Sequence, residues 1–202
     1  MREARLGRWG TGFDADRLAI LETRMWKAYY RRQPARLFGW LVFALREQAR
    51  VSWATALAAS LLLTRAAAGF ARADGDYERF APDIGRAYQL LGLPDDVDAT
   101  EVARRELRWW VVRREIGPTA GVAAGDAITA LYAAIYRVPP EAVADAGALR
   151  GRAAEVRDLG ANADPAGPTG PGRDYWSEVA LLLRDSYRSL KVAVSDPPDD
   201  GR

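Results

Sequence analysis

Apolar residues recur at spacings of three and four along almost the whole chain, and no stretch alternates with a period of two. A helix gathers every third or fourth side chain on one face, whereas a half-buried strand needs strict alternation, so the pattern predicts an all-α fold. Helices are expected at about 15–32, 35–50, 53–73, 77–92, 99–116, 120–137, 141–158 and 175–194. Asp14, Ser52, Asp76, Asp98 and Asp174 stand where N-caps belong, and Pro34 occupies a first turn, where its missing N–H does no harm. Pro82 inside the fourth helix should kink it or mark its true start. Gly117-Pro118 and Pro139-Pro140 are stops.

Most connections are short, which favours antiparallel neighbours in a single-domain bundle of eight helices over residues 14–194. Residues 1–13 are expected as a flexible N-terminal segment, 159–173 as a mobile loop crowded with Gly, Pro, Asn and Asp, and 195–202 as a disordered tail. The third helix is Ala-rich and apolar nearly all round, which predicts a central position. Arg50, Arg65 and Arg72 punctuate the apolar stretch Val51–Ala71, which therefore reads as a buried helix and not a membrane span. The N-terminus lacks the apolar run of a signal peptide. A soluble, cytoplasmic chain without membrane contact is the expectation.

At 202 residues the chain can bury a full core without a metal or disulfide staple. It contains no His and no Cys. That removes thiolate and imidazole metal sites and the His-dependent nucleophile systems, and no cofactor is indicated. Of 29 basic residues only Lys27 and Lys191 are lysine, a skew that a GC-rich genome produces by itself. With 27 acidic residues the net charge is only +2, too small to suggest nucleic acid. Arg104, Arg105 and Arg108 share a helix side with Glu101 and Glu115, and no nucleic-acid-binding motif accompanies them. Gly7, Gly10 and Gly12 lack the Gly-Lys-Ser/Thr ending of a phosphate loop.

Helical wheels single out two helices. On the first, Glu22 projects from an apolar arc containing Leu18, Leu21, Met25, Trp26, Tyr29 and Tyr30. On the fifth, Glu106 and Arg113 lie two turns apart within an arc of Val102, Leu107, Trp109 and Trp110, and Arg113 should lean back toward Glu106. The second helix places Gln48 in its apolar arc. A buried charge must pair, neutralise or reach water, so Glu22, Glu106 and Arg113 are expected to converge among aromatic rings, with Gln48 nearby.

Three chemistries fit such a cluster. It can be an ion-pair network that fixes helix register. It can be a pocket for a small anionic ligand, built from Glu22, Glu106, Arg113, Tyr29, Trp109 and Gln48, in which Glu22 or Glu106 would carry any acid–base role. A carboxylate metal site is the third; Glu155-Val-Arg-Asp158 has a suggestive spacing, but the wheel turns both outward, and no metal is expected. Leu181 and Val192, on the outer side of the eighth helix, are candidates for a partner or self-association surface. The leading expectation is a non-catalytic accessory or protein-interaction bundle. A cofactor-free enzyme or small-ligand-binding protein is the alternative, and an enclosed cavity beside the cluster would favour it.

Overall fold

The computed structural model describes residues 11–163 and 174–195. They form one all-α domain with no strand among the described residues: α1 (Ala15–Tyr30), α2 (Pro34–Ala49), α3 (Trp53–Arg72), α4 (Ala81–Leu90), α5 (Ala99–Ile116), α6 (Gly121–Tyr136), α7 (Ala144–Ala163) and α8 (Tyr175–Ser195), with 3-10 turns at Tyr77–Phe80 and Pro140–Val143. The caps follow the sequence except at Asp76, which stands in the left-handed region, makes no side-chain cap bond and precedes a 3-10 turn instead of an α-helix. Asp14, Ser52 and Asp98 side chains accept backbone N–H bonds from Arg17, Thr55 and Thr100 at 3.0, 3.2 and 2.8 Å. Pro82 marks a start: the residues before it close as a 3-10 turn, and the α-helix begins beside the proline.

Each helix packs on its neighbour in sequence, and α8 returns to pack on α1, which closes the circuit. The core runs through it, with Phe13, Leu18, Ile84, Leu107, Ile128, Leu183 and Leu190 fully buried. The closest approach is between α6 and α7. A Cβ on Gly147 would stand 2.7 Å from the Gly125 carbonyl oxygen, and one on Gly151 would stand 2.5 Å from the Gly125 nitrogen. These contacts are backbone to backbone, so they fix the depth at which α7 side chains, Arg150 among them, enter the core.

Other expectations are corrected. α3 is not central: it packs against α2, α4 and the 3-10 turn at Tyr77–Phe80, and only 28% of its apolar window is buried. α7, whose Gly147 and Gly151 bring its backbone against α6, takes that place between α6 and α8. Residues 159–163 continue α7, since Gly160 admits the Tyr175 ring against the helix backbone and that packing outweighs poor helix propensity. Phe13, placed in the flexible N-terminal segment, is fully buried with its ring edge-on to Tyr187, centroids 6.1 Å apart. Ser195, placed in the tail, ends α8, and residues 1–10 of the expected N-terminal segment together with the remainder of the expected loop and tail, 164–173 and 196–202, lie outside the described residues.

Candidate functional site

Glu22 is 2% exposed and answers to α7. Arg150 donates one guanidinium nitrogen to Glu22 Oε1 and another to the Tyr132 hydroxyl at 2.8 Å. Tyr187 donates its hydroxyl to Glu22 Oε2. The Arg150 guanidinium also lies over Trp109, 5.5 Å from the ring centre. Burial alone would lower the Arg150 pKa, but the negative groups around it, Glu22 foremost, more than offset this and raise it well above its ordinary value. Gln48 joins at one remove, donating to the Tyr136 hydroxyl at 3.1 Å, with Tyr136 packed edge-on against Tyr132.

Glu106 is held differently. Its Oε1 accepts both indole N–H groups that follow on α5, from Trp109 at 3.1 Å and Trp110 at 3.0 Å, and its Oε2 accepts from Tyr88 at 3.0 Å. The local cause is helix geometry. Side chains three and four residues on lean back over the preceding turn, so both indoles reach the one carboxylate and stand nearly perpendicular, at 89°. With its oxygens engaged this way, Glu106 is not the partner of Arg113. Arg113 instead grips Asp158 of α7 through Nε and Nη2, at 2.8 and 2.7 Å. Arg157 donates to the same carboxylate at 2.7 Å and lies over the Tyr30 ring. Arg114 donates to the Phe70 and Ala73 carbonyls at 2.7 and 2.8 Å, closing the C-terminus of α3 with a cation.

Between these groups lies a cavity of about 390 Å³, walled by α1, α2, α3, α5 and α7. Trp26, Tyr29, Tyr30, Phe70, Trp109 and Trp110 provide aromatic walls, with Leu37, Leu41 and Leu63 on the α2–α3 side. Arg113, Arg114, Arg150 and Arg157 line it against only two lining carboxylates, Glu106 and Asp158. Glu22, behind Arg150, supplies a third negative charge, and one positive charge is left over. Three polar atoms of lining residues are buried without a hydrogen-bond partner: Arg150 Nε, Arg157 Nε and Thr64 Oγ1. Such atoms are uncommon in native interiors. Among the described residues no group of three acidic side chains gathers as a metal site.

Of the sequence-predicted residues, Glu106, Arg113, Tyr29 and Trp109 line the cavity, whereas Glu22 and Gln48 stand behind it. An acid–base role at the cavity would therefore fall to Glu106. Convergence is indirect: Arg150, which the sequence reading passed over, contacts Glu22 directly and lines the cavity with Glu106 and Arg113. Asp158 was expected to face outward, yet it and Arg113 are each 15% exposed at the side chain. The overlooked signal was present in α7. Arg150, Arg157 and Asp158 fall on the same helical row as the buried Ala146, Ala153 and Ala154, but small apolar residues make a weak stripe. Comparison with family models, with curated proteins and with solved structures finds no match, so function rests on the geometry of the site.

Proposed function

We propose that the chain is a small-ligand-binding helical bundle whose ligand is a monoanion with a flat aromatic or short aliphatic body. The cavity carries this reading: a concave, mostly apolar space within the size range of small-molecule sites, with a few convergent polar groups at its edge. The body would pack against Trp26, Trp109, Trp110 and Phe70. The acidic group would meet the surplus guanidinium charge of the lining arginines Arg113, Arg114, Arg150 and Arg157. Glu106 holds the two indoles in place and so shapes the wall.

The test is a thermal-shift panel of aromatic and short-chain aliphatic monocarboxylates beside their neutral amides. A ligand at a hundred times its Kd adds about 2.7 kcal/mol, which for a chain of this size raises Tm by about 5–10 °C. The acids are expected to stabilise and the amides to do so far less. Equal shifts for acid and amide, or none for either, would contradict the proposal.

A further inference from the structure

The outward side of the α2–α3 hairpin is apolar where a solvent face should be polar. Along α3 the exposed row is Trp53, Ala54, Leu57, Ala58 and Leu61, and the first polar side chain on that row is Arg65. Leu61 is 64% exposed, Leu57 and Trp53 are each 46% exposed, and Phe43 from α2 is 42% exposed. The patch is continuous across the two helices, because the Phe43 and Trp53 rings meet edge-on at 5.3 Å. Single exposed apolar residues are ordinary, but a joined row of this kind marks a surface that is covered in use.

Charge identifies the cover. Residues 34–72 contain Arg36, Arg46, Arg50, Arg65 and Arg72 against Glu47 alone, and Glu47 is 8% exposed and bound to Arg17 and Arg50. Asp83 of α4 matches Arg65. Arg36 and Arg46 are exposed, with no carboxylate partner among the described residues, and Arg31 and Arg32 extend the basic rim from the end of α1. The Arg46 guanidinium lies over Trp53 at 4.3 Å and that of Arg24 over Trp40 at 4.9 Å, so these cations flank the aromatic rings instead of standing off in water. Leu and Trp flanked by arginines whose stems lie along apolar surface is the chemistry of a bilayer interface with anionic headgroups. A second copy of the same face would bring like charges together, which argues against self-association here.

We infer that the α2–α3 face docks on an anionic lipid surface, with Trp53, Leu57 and Leu61 entering the headgroup boundary and the arginines meeting lipid phosphates. This sets aside the expectation of a chain without membrane contact, and it does not depend on the cavity having a ligand.

Flotation of the full chain with vesicles tests it. One set is phosphatidylcholine alone, and the other is phosphatidylcholine and phosphatidylglycerol in equal parts. Wild type is expected to float with the anionic vesicles at low salt and to be released as salt rises. Leu57→Glu/Leu61→Glu should weaken binding by at least about tenfold, and Arg36→Glu/Arg46→Glu by a similar factor, with helical circular dichroism unchanged. The arginine variant keeps the test decisive if the leucine variant fails to fold. Four outcomes would overturn the inference: no flotation with anionic vesicles, equal binding to both vesicle types, wild-type binding by the folded variants, or a dimer in sedimentation velocity that Leu57→Glu dissolves while vesicles capture nothing.

Discussion

Replacing Arg150 by leucine leaves the buried Glu22 carboxyl with only the Tyr187 hydroxyl to hold it. Breaking one side of a buried pair strands the other, so Arg150→Leu should cost about 3–5 kcal/mol in urea unfolding, with the slope unchanged. Glu106 lines the cavity, so in Glu106→Ala water entering there can take over the donors Tyr88, Trp109 and Trp110, and the cost should be smaller, about 1–3 kcal/mol. A larger loss for Glu106→Ala than for Arg150→Leu would invert the assigned roles. The tyrosines set the alkaline limit. Burial, before any other cause, raises the pKa values of Tyr30, Tyr88, Tyr132, Tyr136 and Tyr187 above their ordinary value. A group whose folded pKa is raised lends stability that is complete below its unfolded pKa, near 10, and is lost as pH climbs past it. Tm should therefore fall steeply above about pH 10, with these tyrosines ionising as the chain unfolds. Tyrosinate absorbance amounting to all eight tyrosines in a still-helical protein would refute the burial assigned to these five. Glu22 was legible in the sequence because a lone carboxylate interrupted a bulky apolar arc; Arg150 was not, because alanines and glycines flank it.

Helix ends were legible where a cap or stop is local, as in α5, which begins after Asp98 and ends at Gly117, and not in α7, whose end is set by packing on Tyr175. What local chemistry does not specify is which helix lies deepest. α3 is the most apolar long helix, yet its outward row is exposed, while the weakly patterned α7 is packed on both sides. The reason is backbone proximity: Gly147 and Gly151 on α7 lie against the backbone of Gly121 and Gly125 on α6 with no room for a Cβ of their own. Gly151→Ala would force its methyl into the backbone of Gly121 and Gly125. The overpacking penalty is about 1–3 kcal/mol, a Tm loss of roughly 2–12 °C, read by calorimetry. Gly39→Ala, where a Cβ meets nothing within 4 Å, should leave Tm unchanged or slightly raised and serves as the control.

For the whole molecule, the circuit of helices places an aromatic, arginine-edged cavity against the inner side of α2 and α3 and leaves their outer side apolar. The sequence made the all-α class and the presence of an inner charged cluster visible. It did not show that the cluster borders open space, because a cavity arises from how five helices fail to meet, which no single wheel records. The absence of His and Cys now has a sharper consequence: recognition at the cavity rests on guanidinium groups and indole faces. The most direct measurement is calorimetric titration of 2-naphthoate, a flat monoanion, into the wild type and into Arg157→Met. The account predicts one site per chain, loss of about tenfold or more in affinity in the variant, and no saturable binding of the neutral naphthamide at the same concentrations. Absence of saturable binding, or equal affinity in wild type and Arg157→Met, would contradict it.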